Sequence, residues 1–346
     1  MTTRSSIARA AGLLALVAGA AGAQRSFFVV HTEPHKDVEN LWPDLVWLVG
    51  EAEGDPQDPG DDVPLTIMFS PQWIDAIEAD GTKEADVLAW DAGIHEIGFH
   101  HHGPNHSSPD GYFNGTQEEY EDVYRATHNG NDPPANRPYL GPVDPEFEQL
   151  EALLGRVVES GTVSNRWTDM HRRHVYDASG GPDGRIAKAV MNQFNGHVSW
   201  RFNIKSQMTK SEGLTEAMDQ FLTLDAGDMY GVLFHAFNLG GNVANPSSGK
   251  AAAQQWLDFV RDQSPNPNRR KTLAAMFTYA SGSANRLFGS PGGNCGNTVC
   301  DGKEFGLPAG CDDCSSCLTD SSGNPVDRDC EKGDATQLWE LTKNDP

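Results

Sequence analysis

The first 294 residues contain no cysteine; all six cysteines fall between Cys295 and Cys330. The bulk of the chain therefore cannot be a disulfide-built scaffold and must hold itself together by an apolar core. Basic residues are scarce as well, 26 Lys and Arg against 49 Asp and Glu, for a formal net charge of −23. A surface of that sign repels phosphate backbones and anionic head groups, which argues against nucleic acid or a membrane surface as partner. Long apolar runs are missing after the N-terminus, so nothing there predicts a membrane span.

What is present begins with an export pattern. Arg4 and Arg9 form a positive start, residues 10–21 are a short run of Ala, Leu, Val and Gly, and Ala21-Gly22-Ala23 is an A-x-A cleavage site. Residues 1–23 are read as a signal peptide, the remainder as a secreted or periplasmic protein. The length suits one large α/β domain, residues 24–281, followed by a Gly/Ser/Pro linker at 282–294 and a cysteine-rich tail at 295–346.

Within the large domain, apolar runs at 26–30, 65–69, 94–99 and 229–234 read as buried strands. Helical patterns lie at 38–49, 74–79, 85–92, 116–127, 147–159 and 250–263, and 273–279 reads as strand or helix. Thr116 with Glu119 makes a capping-box start, and Gly161 is expected to end the 147–159 helix. Strands apolar on both faces, alternating with helices, predict a parallel sheet wrapped by helices, a (β/α) barrel. Chemistry in such a barrel gathers just beyond the carboxyl ends of the strands.

Three strand ends carry suitable side chains. After the first come His31, Glu33 and His35, of which Pro34 leaves His31 and Glu33 as the same-face pair, able to ligate a metal or share a proton. After the third come His95, His100, His101, His102 and His106, five histidines within a dozen residues. Gly98, Gly103 and Pro104 allow turns that bring His100, His102 and His106 together around an ion. After the late strand comes His235, with Asp225 and Asp228 upstream as candidates to orient it. Trp42, Trp73, Trp167 and Trp200 offer flat faces to sugar rings or, more simply, fill the core.

The order of these segments resembles the polysaccharide deacetylase family with the NodB homology fold. Gly93-Ile94-His95-Glu96-Ile97-Gly98-Phe99-His100 is similar to its Gly-His-Glu-Ile-Gly-x-His segment with one residue inserted, Leu233-Phe234-His235 to its Leu-x-His, and Arg137-Pro138-Tyr139 to its Arg-x-Pro-Tyr. The resemblance implies a distorted (β/α) barrel of the NodB type and a secreted hydrolase that deacetylates a carbohydrate or related N-acyl or O-acyl, cell-wall-type substrate. It implies a divalent metal, zinc, held by His100, by His106 or His102, and by Glu33. It makes His235 the general acid and Arg137 and Tyr139 substrate contacts. The family's Asp pair is absent: Thr32 stands where its base would be, so proton abstraction falls to His31 or Glu33. Two alternatives stand beside this reading, an inactive carbohydrate-binding relative and a different metallohydrolase or glycosidase that uses His31 and Glu33 as its own signature.

The tail resembles the short Cys-Gly-Asn-x-x-Cys-Asp-x-x-Glu modules appended to secreted proteins. Cys295, Cys300, Cys311, Cys314, Cys317 and Cys330 are expected to pair as disulfides. Asn297, Asp301, Glu304, Asp312 and Asp313 supply hard oxygens suited to calcium.

Overall fold

A computed structural model describes residues 24–34, 36–163, 176–186, 190–194, 197–209, 211–225, 227–245 and 247–282. The expected signal peptide, His35, Trp167, most of the linker and the cysteine-rich tail with its disulfides and calcium ligands lie outside the described residues. No helix among those described is long and apolar enough to cross a membrane.

Among the described residues nine strands are present: β1 (Arg25–His31), β2 (Leu65–Phe69), β3 (Glu96–His101), β4 (Ser160–Val163), β5 (Tyr176–Gly181), β6 (Val190–Phe194), β7 (His197–Lys205), β8 (Met229–His235) and β9 (Arg270–Lys271). Seven of them close on themselves in the order β1-β2-β3-β4-β5-β7-β8 and back to β1, every ladder parallel. This is a closed parallel (β/α) barrel, as expected. Its distortion shows at the β7–β8 seam, where pairing is reduced to Lys205 opposite Val232. The strand β6 is a departure from the all-parallel expectation, since it forms an antiparallel hairpin with β7.

The helices are α1 (Val38–Glu53), α2 (Pro71–Glu78), α3 (Gly81–Ala92), α4 (Gln117–Thr127), α5 (Asp144–Leu154), α6 (Ser211–Leu222), α7 (Gly249–Gln263) and α8 (Leu273–Gly282). The capping box of α4 forms as read, Thr116 and Glu119 satisfying each other's backbone N–H groups. The helix expected at 147–159 begins and ends earlier. Pro145 fits its first turn, and Gly155, at φ +64° and ψ +22°, takes the left-handed conformation that stops it. Residues 160–163 are thereby free to become β4, and Gly161 lies in that strand instead of ending a helix.

Alternation along each strand separates two apolar layers. Phe27, Val29, Met68, Ala178, Phe202, Ile204 and Leu233 fill the barrel. Phe28, Val30, Ile67, Ile97, Phe99 and Phe234 face outward beneath Leu45, Leu48, Trp73, Trp256 and other helix residues. Trp42 and Trp73 belong to that outer core, which withdraws them as sugar platforms.

The chain at 273–279 is helical, and α8 closes the barrel floor. Leu273, Met276 and Phe277 join the inner layer, with the Phe277 ring stacked 3.7 Å from Phe202. The helix's first N–H groups are received by Thr66, which accepts from Leu273, and by Glu96, which accepts from Ala274. Glu96 also accepts from the Thr66 and Ser160 hydroxyls, and burial pushes its carboxyl up against the pull of these donors. With the floor plugged, the opposite rim is where the strand ends can meet a ligand.

Candidate metal centre

Register and alternation bring the expected residues to that rim. His31 lies opposite Met68 on β2 and His235 on β8, and His100 lies opposite Thr162 on β4. Because Phe27 and Val29 point into the barrel, so does His31; because Ile97 and Phe99 point out, His100 points in and His101 does not. Gly98 is not a turn residue as expected but sits in mid-strand, where a Cβ would lie 2.6 Å from the Ser160 carbonyl oxygen.

Glu33 follows β1 on a fixed backbone. The Thr32 N–H and hydroxyl both donate to the Met68 carbonyl, the Ser70 N–H donates to the Thr32 hydroxyl, and the Trp73 indole donates to the Glu33 carbonyl. Thr32 is therefore a buried clamp between β1 and β2, with no hydroxyl left for proton abstraction. The Glu33 carboxylate, 13% exposed, stands at the centre of the site. Its Oε1 lies 3.3 Å from His235 Nε2 and 3.6 Å from His100 Nε2, and its Oε2 lies 3.6 Å from His102 Nδ1. The His31 ring stacks on His100 with centroids 4.2 Å apart and meets His235 edge-on at 5.8 Å.

The electrostatics suit cation binding. Burial lowers the His31 imidazole well below its ordinary value, and His100 and His235 add to this. His102 is lowered well below by burial and by His100, and burial also lowers His106 and His235. Neutral imidazoles keep a lone pair for an ion. Burial pushes the Glu33 carboxyl up, but His100, His102 and His235 together outweigh it and hold the group well below the usual carboxylate range.

Hydrogen bonds distinguish the two second-histidine candidates. Nδ1 of His102 lies 2.8 Å from the Ser108 carbonyl and donates to it, which leaves the lone pair on Nε2. A histidine with one N–H fixed by an oxygen keeps its other nitrogen for a metal, and the same Nδ1 is the His102 atom 3.6 Å from Glu33 Oε2. His106 is the reverse: its Nδ1 accepts from the Ser108 N–H at 3.0 Å, so Nε2 carries the proton and presents a donor. His106 packs against His102, centroids 3.8 Å apart, without joining either group of residues able to hold an ion. Those groups are Glu33, His100 and His102, and His31, Glu33 and His235.

The spacing fits an ion. A zinc-like cation sits about 2.1 Å from each donor, which places two tetrahedral ligands about 3.4 Å apart. The Glu33–His100 and Glu33–His235 separations bracket that value. Among the described residues neither ring nitrogen of His100 finds a hydrogen-bond partner although both are buried, the condition a cation would relieve.

Other expected residues have different work. Arg137 donates to the Ser107 carbonyl of the histidine loop, and the Tyr139 hydroxyl donates to Gly115. Asp225 and Asp228 build a turn ahead of β8, seven residues of strand away from the end that bears His235. His95 lies at the floor end of β3 and accepts from the Leu65 N–H. His101 points into the outer layer against Asp110, a residue that spacing did not single out. Asp110 is fully buried and also accepts from the His102 and Tyr112 N–H groups, closing the loop that carries the histidines. Beside His235 lies the half-exposed ring of Phe237, with Lys36 Nζ 4.5 Å from its centroid.

No family model matches this chain, and no curated protein does. Among solved structures it is similar to the crystal structure of PuuE allantoinase, at 13% identity and a TM-score of 0.46, over 76% of this chain and 91% of that one.

Proposed function

We propose that this protein is an exported, metal-dependent hydrolase that removes an acyl group from a carbohydrate by cleaving an amide or ester bond. The observation that supports it above the others is Glu33, an ionised carboxylate at the barrel rim with His100, His102 and His235 around it at 3.3–3.6 Å. Glu33, His100 and His102 would hold a divalent ion, zinc by the nature of the donors. Such an ion supplies Lewis acidity toward the substrate carbonyl and toward an attacking water.

The remaining groups handle orientation and protons. The Ser108 carbonyl fixes the His102 ring, and Thr162 fixes His31. His235, at 26% more exposed than His31, His100 and His102, faces the substrate side, and its 3.3 Å separation from Glu33 lets a proton rest between them before passing to the departing group. Phe237 offers a flat apolar face beside it for a sugar ring. Export rests on the N-terminal pattern and the cysteine-rich tail.

The test joins metal analysis of the purified protein to acetate release from acetylated oligosaccharides, for wild type and His100→Ala. Stoichiometric metal and acetate release, both lost in the variant, support the reading; unchanged metal content in His100→Ala refutes it. The commitment of the Thr32 hydroxyl to backbone favours a second reading, a binding protein without catalysis. Bound metal with carbohydrate affinity and no acyl release would establish that one.

A further inference from the structure

Resting on that cation-site reading and going beyond it, we propose that Glu33 bridges two divalent cations, one held with His100 and His102 and the second with His31 and His235. The donors at the rim divide in this way: two sets, each within 4.8 Å internally, share Glu33 and nothing else. Oε1 of Glu33 lies between them, 3.6 Å from His100 Nε2 on one side and 3.3 Å from His235 Nε2 on the other. Both distances are close to the edge of a coordination shell, about 3.4 Å.

The two halves also repeat one construction. In the first, the Ser108 carbonyl receives the Nδ1–H of His102 at 2.8 Å, which leaves the lone pair on Nε2. In the second, the Thr162 hydroxyl donates to the Ala178 carbonyl and so receives the Nε2–H of His31 at 3.2 Å, which leaves the lone pair on His31 Nδ1. Each half thus contains one imidazole oriented in the manner of a metal ligand. His31 is almost fully buried, with His100 stacked on it and His235 at its edge, a placement poor for meeting substrate and good for holding an ion. The 4.2 Å stacking of His31 on His100 also suits a pair of ions about 3.5–4 Å apart, the spacing of two-metal hydrolytic sites. In the doubly loaded state the second ion takes the place of the proton between His235 and Glu33, and His235 is a ligand.

The experiment loads the full-length protein with cobalt(II), removes excess by gel filtration, counts cobalt per chain and records the electron paramagnetic resonance spectrum. Two ions per chain with a magnetically coupled signal are expected, falling to one uncoupled ion in His235→Ala, or in His235→Gln should the alanine variant fail to fold. One uncoupled ion in wild type overturns the second site and leaves the single-ion reading standing. No bound ion overturns both. Two uncoupled ions, or a coupled pair indifferent to His235, place the second ion elsewhere, such as the cysteine-rich tail, and overturn the proposal.

Discussion

Asp110→Ala tests whether the histidine loop is held from behind. The carboxylate is fully buried and accepts from three donors: the His101 ring at 2.7 Å, the His102 N–H at 3.0 Å and the Tyr112 N–H at 3.0 Å. Alanine accepts from none of them, and each buried donor left unpaired costs about 1–3 kcal/mol. Taking the low end for groups that can shift toward water, the loss is about 3–5 kcal/mol, a large part of the roughly 5–15 kcal/mol that keeps a domain folded. Asp110→Asn should cost less. Its oxygen can still serve Tyr112 and its amide can donate to His101 in the other tautomer, so His102 N–H alone is orphaned, at about 1–3 kcal/mol. Because His102, the proposed ligand, is held directly by this anchor, zinc affinity should also weaken, by about 10–100-fold as for other outer-shell partners. Urea unfolding and zinc titration by competition read the two effects. An alanine variant within about 1 kcal/mol of wild type, with unchanged zinc affinity, would refute the anchoring argument.

The tautomers of the loop predict that His102→Ala loses bound zinc, while His106→Ala retains it with affinity reduced less than tenfold; equal losses by elemental analysis would contradict the assignment. Burial, aided by Asp75, Asp110 and Glu78, raises the Glu146 carboxyl to about 7. A folded-state value above the unfolded one means the stability tied to its neutral form is complete below about pH 4.5 and is lost as pH rises through 7. Glu146→Gln should therefore unfold at higher urea than wild type at pH 8 and close to it at pH 4.5, and a constant difference across pH would count against the raised value. Gly98→Ala places a methyl group 2.6 Å from the Ser160 carbonyl oxygen and 3.1 Å from Met68 Cγ, in backbone that cannot yield. Overpacking of this kind costs about 1–3 kcal/mol, and a melting temperature unchanged from wild type would show that β3 and β4 can separate freely.

Sequence reading succeeded where one kind of physics dominated. The run at 65–69 is β2 residue for residue, and those at 26–30, 94–99 and 229–234 fall within two residues of β1, β3 and β8, because strands buried on both faces must be apolar throughout. The rim residues followed, since strand ends are legible once strands are. It failed where side chains are small or polar. β4 is Ser-Gly-Thr-Val, and β5 ends in Ser-Gly-Gly; both owe their conformation to their neighbours in the barrel more than to their own propensity. His102 and His106 were indistinguishable by spacing, because the difference is that one ring meets the Ser108 carbonyl and the other the Ser108 N–H, a property of the closed loop. Thr32 likewise gave no sign in its spacing of its place between β1 and β2, which its hydrogen bonds to Met68 and Ser70 define.

The composition of the rim has an electrostatic consequence. Imidazoles bring lone pairs but no charge, so Glu33 alone among the donor residues of the two groups offsets the charge of whatever ion is bound. The formal charge of −23 gives limited help, because at physiological ionic strength exposed carboxylates beyond roughly 8 Å are largely screened. Asp110, buried behind His101 and His102, lies in low-dielectric surroundings where its field is screened far less. It therefore contributes negative potential through the same histidine segment that it holds in place. The proposed centre thus has two carboxylates, Glu33 among the donor groups and Asp110 behind them. Thr32, next to the first, stiffens the backbone that carries it through its hydrogen bonds to Met68 and Ser70.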